Sequence, residues 1–299
     1  MTEPGVASRA VAVPGLAPPA RLGGARLRRA LRQTPVAVIG TVTVGLVVLT
    51  ALLAPVLAPY DPVAQIAKPL LSPGRDFLAG TDEFGRDELS RLIAGARVSL
   101  YVGGLAVLIA LALGGTSGVL AGFCGGWVDD LTMRAMDILL SLPALVLAIA
   151  ITSVLGSSLT NVMLAIGIVY APTFARVARA PTLAVVRVPY IEAARALGAS
   201  APRVVLRHVM PNVAAPVLVQ TTVSLSTAIL TEAALSFLGL GTQPPTASWG
   251  LMLSAARQYM LIDPWIALFP GGAIALTVLG FNLLGDGLRD LLDPRLRVE

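Results

Sequence analysis

Residues 98–128 read VSLYVGGLAVLIALALGGTSGVLAGFCGGWV and carry no charged side chain. A helix needs about 20 mostly apolar residues to cross the hydrocarbon core of a bilayer. Every backbone polar group in that core must find its partner within the protein, so long uncharged runs are typical of transmembrane helices. We therefore predict that one helix crosses a membrane between about residues 98 and 122.

Four other uncharged runs, on both sides of this one, predict the rest of the architecture. They cover residues 35–60, 138–175, 209–231 and 264–285. The run 138–175 is long enough for two helices, and the polar, turn-prone segment 156–161 divides it. We predict an all-α membrane protein with six transmembrane helices, at about 36–58, 98–122, 134–155, 161–179, 210–240 and 265–285.

The composition excludes an ordinary soluble domain. Hydrophobic residues make up 56% of the chain and charged residues only 13%, whereas a soluble domain has about 25% charged residues. The net charge of +5 includes a single lysine, Lys68, among 22 basic residues. Arginines that flank apolar spans orient them in a membrane, so this balance predicts contact with membrane lipid and no nucleic-acid partner.

Basic residues are distributed unequally between the two sides of the predicted helices. With the N-terminus inside, sixteen Lys and Arg residues fall on the inner side and six on the outer side. Inner loops of membrane proteins carry the excess of Lys and Arg. We therefore predict a multi-pass protein of the cytoplasmic membrane with both termini in the cytoplasm.

Four regions follow from this arrangement. Residues 1–35 are rich in Pro, Gly, Ala and Arg without apolar periodicity, which predicts a disordered cytoplasmic arm of unassigned function. A cleaved signal peptide is the alternative, but the apolar run at 36–58 starts late and is too long for one. The other predicted regions are the first helix with an extracytoplasmic segment (36–97), a five-helix core with a cytoplasmic loop at 180–211 (98–285), and a cytoplasmic tail (286–299).

The loop between the fourth and fifth predicted helices reads VPYIEAARALGASAPRVVLRHVMPN over residues 188–212. Pro189 suits a first helical turn, and Gly198 suits the left-handed stop at a helix end. We predict two short amphipathic helices joined at Gly198, with Ser200 as the second N-cap and Pro211 where that helix gives way to the next span. One face of the first helix would carry Tyr190, Ala193, Ala194 and Leu197.

An amphipathic loop of this kind can lie in the lipid interface or bind a groove on a soluble partner. Glu192-Ala193-Ala194 is followed after three residues by Gly198, and Pro211 lies thirteen positions after that glycine. This spacing resembles the EAA loop of bacterial ABC-importer permeases. That resemblance implies a coupling helix, which sits in a cleft of the ATP-hydrolysing subunit and transmits its closure to the membrane helices. The residues so assigned are Tyr190, Glu192, Ala193, Ala194, Leu197, Gly198, Arg203, His208 and Pro211.

Three further stretches, 80–100, 235–250 and 282–295, resemble the C-type permease subunit of the dipeptide, oligopeptide and nickel importers. The resemblance runs from about residue 30 to the end of the chain. It implies a permease that translocates peptides or similar small solutes across the cytoplasmic membrane of a bacterium or archaeon; the solute, whether dipeptide, oligopeptide, nickel or glutathione, stays open. The extracytoplasmic motif comprises Gly80, Thr81, Asp82, Gly85, Arg86 and Asp87.

The same resemblance implies a set of partners. They are a homologous B-type permease subunit, two cytoplasmic ATP-binding subunits and an extracytoplasmic solute-binding protein. The chain has no Gly-x-x-x-x-Gly-Lys-Ser/Thr run, and a P-loop ATPase needs that phosphate-binding loop. We therefore predict that this chain is not an enzyme and has no cofactor of its own, and that ATP and Mg²⁺ are bound by the partner ATPases.

Cys124 and His208 are the single cysteine and histidine, so a Cys/His zinc site within the chain is excluded. The sequence offers no catalytic constellation, and we interpret His208 as a polar part of the loop. A secondary transporter or channel is the alternative function class, and a membrane enzyme is a third. Ion coupling would require ionisable groups along several spans, whereas Glu232 is the one clear case.

Several polar residues have two interpretations. Glu232, in the fifth predicted helix, is either a pathway or gate residue or a buried, hydrogen-bonded carboxyl that holds helices together. The same question applies to Gln220, Asn161 and Asn282. The charged members of the extracytoplasmic motif either contact a solute-delivery protein or hold their own segment together by salt bridges; these are Asp82, Arg86 and Asp87.

Overall fold

The computed structural model describes residues 35–292, and this part of the chain is helical with one isolated β-bridge, between Thr81 and Asp87. The predicted all-α fold is confirmed. The predicted N-terminal arm, apart from Pro35, lies outside the described residues. So does the end of the predicted tail, from residue 293.

Ten helices form the described chain, two of them very long. The helix that runs from Glu88 to Cys124 contains a π-helical turn at Leu111–Gly115, and the helix that runs from Ala201 to Phe237 contains one at Val205–Val209. In chain order the helices are α1 (Pro35–Leu52), α2 (Ala54–Leu57), α3 (Glu88–Cys124), α4 (Gly126–Leu140), α5 (Ala144–Leu155), α6 (Leu159–Val186), α7 (Pro189–Ala196), α8 (Ala201–Phe237), α9 (Trp249–Ala256) and α10 (Trp265–Leu292).

Five of the described helices, α1, α3, α6, α8 and α10, are long and apolar enough to cross a membrane. The pair α4 and α5 supplies a sixth span if the two are taken together, and they are bent by 90° at their junction. The third predicted helix, at 134–155, is therefore not one continuous helix. Pro143 disfavours helical geometry at the preceding residue, Leu142, which places the break there.

The core lies between α3, α6 and α8, where their small and branched apolar residues are buried. Gly114 and Gly118 of α3 face the backbone of α6 at Ala171 and Ala175, and a Cβ on either glycine would overlap a carbonyl oxygen of α6. Close approach of helix backbones at small residues is how membrane helices associate. This contact fixes α3 against α6, the helix that leads into the loop at 188–200.

The predicted second loop helix does not end at Pro211. It is the first part of α8, which runs without interruption from Ala201 to Phe237, so the predicted end of a separate helix at Pro211 is wrong. A proline inside an α-helix clashes with the carbonyl four residues earlier, here that of Arg207. The wider π-helical turn at Val205–Val209 ends two residues before Pro211, includes Arg207 and lets the helix continue.

Candidate functional site

The helix α7 has well-defined ends. Pro189 occupies its first turn after Val188, whose backbone is extended. At the other end Gly198 has φ +85°, its N–H donates to the carbonyl of Arg195 (2.9 Å), and the N–H of Ala199 donates to that of Ala194 (3.0 Å). This is a Schellman motif, in which glycine supplies the left-handed conformation. Because a Cβ at Gly198 would meet no atom within 4 Å, backbone conformation is the reason for glycine here.

One side of α7 is fixed to the membrane helices through Ile191, which is fully buried. Ile191 belongs to a cluster that we call the anchor cluster. It joins α7 to the C-terminal parts of α3 and α6 and to the N-terminal part of α8. Its members are Val119 of α3, Ala178 and Val185 of α6, Ile191, and Val204, Val209 and Val213 of α8. Motion of α7 would therefore be carried to α3, α6 and α8 by direct packing.

Two ring contacts at the edges of α7 supplement the anchor cluster. The rings of Tyr190 and His208 lie with their centroids 5.6 Å apart, which ties α7 to the start of α8. The guanidinium of Arg195 lies 5.2 Å from the ring centroid of Phe123, the penultimate residue of α3. Cation–π contacts at such distances are attractive. Both contacts limit rotation of α7 on the body of the protein.

The other side of α7 is exposed. Leu197 is 90% exposed, and Glu192, Ala193 and Gly198 are exposed as well. The apolar face that the sequence predicts for this helix consists of Tyr190, Ala193, Ala194 and Leu197, and only part of it packs against the protein. Ala193 and Leu197 are exposed, Ala194 is half-buried and Tyr190 contacts His208, whereas the fully buried residue is Ile191, which lies outside the predicted face. The remaining assigned residues are half-buried or exposed: Tyr190, Ala194, Arg203, His208 and Pro211.

The extracytoplasmic motif is a buried network rather than an exposed charged patch. The carboxylate of Asp82 accepts hydrogen bonds from the backbone N–H groups of Phe84 and Arg86, both at 2.9 Å. It also pairs with the guanidinium groups of Arg86 (2.5 Å) and Arg91 (3.1 Å). The side chains of Asp82 and Arg86 are almost completely buried. This geometry agrees with the interpretation that local salt bridges hold the segment together.

The rest of the motif shapes the same segment. Asp87 caps α3 by accepting from the backbone N–H (2.7 Å) and hydroxyl (2.6 Å) of Ser90. The hydroxyl of Thr81 donates to the carbonyl of Lys68 (2.7 Å). Gly80 and Gly85 both have positive φ, and at each a Cβ would overlap a carbonyl oxygen of the chain that folds over it. The motif therefore fixes a compact loop at the start of α3.

Glu232 lies in α8 and is 1% exposed. Its carboxylate accepts hydrogen bonds from the hydroxyls of Ser236 (2.7 Å), of Ser99 in α3 (3.1 Å) and of Thr242 in the loop before α9 (3.5 Å). The hydroxyls come from three segments of the chain. This arrangement supports the interpretation of Glu232 as a carboxyl that joins helices.

The other polar residues of the spans also have protein partners. Asn282 of α10 accepts from the hydroxyl of Ser226 in α8 (2.8 Å), which ties these two helices together. Gln220 donates to Ser224 within α8 (3.1 Å). Asn161 donates to the carbonyls of Leu155 and Gly156, at 2.7 and 2.9 Å, and closes the turn between α5 and α6.

Two ion pairs between α4 and α6 were not predicted. Arg179 donates from two nitrogens to both carboxylate oxygens of Asp129, and Arg176 pairs with Asp137 at 2.6 Å. The positions are 50 and 39 residues apart. The sequence contained one signal for these pairs. Two aspartates lie in the amphipathic segment 126–140, and two arginines lie at the end of the fourth predicted span.

Comparison with known proteins gives a consistent result. The family model "Binding-protein-dependent transport system inner membrane component" matches residues 114–298. The model "N-terminal TM domain of oligopeptide transport permease C" matches residues 24–73. Together these two matches cover most of the chain.

Named relatives are similar over most of their length. The dipeptide transport system permease protein of Alkalihalophilus pseudofirmus is 44% identical over 89% of this chain and 88% of its own. The di/tripeptide transport system permease protein of Pseudomonas aeruginosa is 49% identical over 84% and 86%. The glutathione transport system permease protein of Pectobacterium atrosepticum is 44% identical over 90% of each chain.

A solved structure shares the fold. It is an inward-facing conformation of the MetNI methionine ABC transporter, matched with a TM-score of 0.54 and 19% identity over 68% of this chain and 97% of that chain. At this identity the likeness concerns the arrangement of helices. It agrees with the all-α membrane architecture described above.

Proposed function

This chain belongs to the family of binding-protein-dependent transport system inner membrane components, and we propose that it imports short peptides or similar small solutes. Within that family it is a multi-pass permease subunit of an ABC importer. The names of its relatives support the solute class, since dipeptides, di- and tripeptides and glutathione are all short peptides.

The coupling of this permease to ATP hydrolysis would pass through α7. The observation that carries this proposal is the contrast between the two sides of that helix: Ile191 is fully buried, whereas Leu197 is 90% exposed. A leucine so exposed beside Gly198 and small alanines offers an apolar surface to a groove on another protein. The anchor cluster behind it gives that surface a firm connection to α3, α6 and α8.

The proposed assembly has several other subunits. Two cytoplasmic ATP-binding subunits would bind ATP and Mg²⁺ and receive α7, a homologous B-type permease would complete the solute pathway, and an extracytoplasmic protein would deliver the solute. The termini of this chain would then lie in the cytoplasm, on the side of α7. The charge distribution of the sequence supports this orientation.

Transport would proceed by alternating access. A ligand shifts a conformational equilibrium only by binding one state better than the other. ATP and the loaded solute-binding protein must therefore both favour the outward-facing state. Closure of the ATPase subunits on ATP would move α7, and the anchor cluster would pass that motion to the spans.

Replacing Gly198 by valine tests the proposal. The change forces a β-branched residue into the left-handed region at the end of α7, which costs about 1–3 kcal/mol locally, and adds bulk to the exposed side. We expect the rate of dipeptide uptake in proteoliposomes to fall at least about tenfold, the equivalent of about 1.4 kcal/mol of activation free energy.

Gly156→Val is the control for backbone strain in this test, because φ +89° and ψ 158° at Gly156 are strongly unfavourable to valine. Gly156 also has positive φ (+89°) and open space around its Cβ position, but it lies in the turn between α5 and α6, away from α7. We expect that variant to retain uptake. Normal uptake by Gly198→Val would contradict the docking role of α7, and failure of ATP-binding subunits to co-purify with the native chain would favour the secondary-transporter alternative.

A further inference from the structure

The helix α4 begins at the same end of the membrane helices as α7. It starts at Gly126, directly after α3 ends at Cys124, and Gly125 and Gly126 both have positive φ, +66° and +54°. Glycine adopts this backbone readily, which permits a sharp turn of the chain. The guanidinium of Arg195 in α7 lies over the ring of Phe123, the penultimate residue of α3. The start of α4 is therefore beside α7.

Two ion pairs show where α4 crosses α6. Asp129 of α4 pairs with Arg179, and Asp137 pairs with Arg176. The helix α6 begins at Leu159 after a polar turn, and the two arginines follow 17 and 20 positions later, which is about 26 and 30 Å along the helix. The hydrocarbon core of a bilayer is roughly 30 Å thick. With Leu159 at one face of that core, α4 crosses α6 at the opposite face.

The helix α4 also runs close to the plane of the membrane. It is bent by 90° from α5, and α5 packs along α6 in the core, where Ala148 meets Val162 and Ile166. Asp129 and Asp137 are eight positions apart on α4, whereas the arginines they bind are three positions apart on α6. Both observations indicate that α4 crosses the direction of the spans at a steep angle.

The exposed surface of α4 is divided into two stripes. Trp127, Leu131 and Ile138 are 75%, 61% and 70% exposed, and at 3.6 residues per turn they fall within about 40° of the helix circumference. We call these three residues the apolar stripe. Charged residues border it on one side, and all of them are exposed. They form the charged stripe, which consists of Asp130, Arg134 and Asp137.

No single medium suits both stripes. Water would leave three large apolar side chains solvated, and hydrocarbon would leave three charged side chains without solvation. The boundary between hydrocarbon and water accepts both, and tryptophan is enriched there because its ring is amphipathic. The third side of α4, with buried Asp129 and half-buried Thr132 and Met136, packs against the protein. Each side of the helix thus matches a different environment.

We propose that α4 is an interfacial helix whose apolar stripe contacts lipid acyl chains and whose charged stripe faces the headgroups and water. Helices of this kind lie with their apolar face about 5–10 Å below the headgroup boundary. The charged stripe holds two carboxylates and one guanidinium, so anionic headgroups are not required. The lipid belongs to the leaflet on the side of α7, and only the identification of that side as cytoplasmic rests on the proposed function.

Spin labelling of the assembled transporter in phosphatidylcholine proteoliposomes tests this placement. The exposed native Cys124 is first replaced by serine. A nitroxide is then attached to Leu131→Cys or to Ile138→Cys on the apolar stripe. Asp130→Cys is the matched control, because Asp130 adjoins Leu131 in the sequence but lies on the charged stripe. Collision rates are measured with oxygen, which concentrates in hydrocarbon, and with a neutral nickel chelate, which stays in water.

We expect the ratio of the oxygen to the nickel collision rate to be at least about threefold higher at Leu131→Cys and Ile138→Cys than at Asp130→Cys, because the apolar stripe lies below the headgroups. Equal nickel access at all three positions would place the apolar stripe in water and overturn the proposal. Immobilised labels on the apolar stripe that neither reagent reaches would overturn it too, because another subunit would then cover α4.

The side of the membrane is measured separately. With the nickel chelate confined to the side of the ATP-binding subunits, the label at Asp130→Cys should be accessible. If the two stripes differ as expected but the chelate reaches Asp130→Cys only from the opposite side, the lipid contact holds and the proposed orientation fails. The lipid contact is likewise read without transport, so absent dipeptide uptake would contradict the solute class alone.

Discussion

At the scale of single residues, Glu232 is an ionisable side chain that is almost completely buried. Hydroxyls from α3, α8 and the following loop surround its carboxyl group, with Ser236 at 2.7 Å and Ser99 at 3.1 Å. A buried polar group of this kind stabilises a protein only while its partners are present. Its position therefore indicates a role in holding α3 against α8.

Substitutions at Glu232 distinguish packing from a pathway role. Glu232→Gln keeps the shape and can still accept from the serine hydroxyls, so we expect stability within about 1.5 kcal/mol of the native chain and nearly normal uptake. Glu232→Ala leaves a cavity and unpaired hydroxyls, and should destabilise by about 2–4 kcal/mol. Thermal unfolding of the purified transporter measures both. A stable Glu232→Gln variant that cannot transport would refute the packing role.

At the scale of elements, α7 is a short helix whose two sides have different neighbours. Eight residues are too few for a stable isolated helix in water, so its shape depends on Pro189, on the turn at Gly198 and on the packing of Ile191. The same element therefore depends on the membrane helices for its structure and leaves its opposite side free. A coupling element needs both properties.

Two alanine variants of α7 separate these properties. Ile191→Ala removes the buried anchor and should destabilise the docked loop by about 2–4 kcal/mol. We expect co-purified ATP-binding subunits to be retained with reduced uptake, because motion of α7 no longer reaches the spans.

Leu197→Ala is the exposed counterpart, since Leu197 is 90% exposed. It should leave the thermal stability of the permease within about 0.5 kcal/mol of native while lowering the amount of ATP-binding subunit that co-purifies. The opposite pattern, with Leu197→Ala destabilised and Ile191→Ala neutral, would contradict the assignment of the two sides.

At the scale of the whole molecule, two groups of polar residues lie at opposite ends of α3. The network around Asp82, beside the start of α3, is buried and held by local salt bridges, and the loop around α7, beside the end of α3, is exposed. This division matches an importer, which receives a solute at one surface and work at the other. The proposed function requires these two surfaces to be on opposite sides of the membrane.

The orientation of the chain can be tested with two exposed leucines. Leu197 is 90% exposed in the loop around α7, and Leu261 is 96% exposed between α9 and α10. The exposed native Cys124 is first replaced by serine, and the chain is expressed without ATP-binding subunits so that Leu197 stays accessible. An impermeant thiol reagent should then label Leu261→Cys in intact cells, and Leu197→Cys only after the membrane is permeabilised. Labelling of Leu197→Cys in intact cells would place α7 outside and refute coupling to cytoplasmic ATPases.

Sequence alone determined the all-α membrane class, the approximate positions of the spans and the glycine stop at Gly198. These features depend on local properties, namely uncharged length, the special backbone of glycine and the geometry of proline. The charged network around Asp82 could be recognised as a motif, but its burial could not, because the sequence left local pairing and partner contact equally open.

Only the tertiary structure decided which side of α7 is buried, where Glu232 finds its hydroxyls and how sharply α4 and α5 are bent. Each depends on contacts between distant parts of the chain, such as Ile191 with α3 and α6, or Ser99 with Glu232, 133 positions away. A short amphipathic pattern fits more than one packing arrangement. Periodicity did not identify Ile191 as the anchoring residue. Its side chain is buried by residues of other helices, and a helical pattern does not show which residues those are.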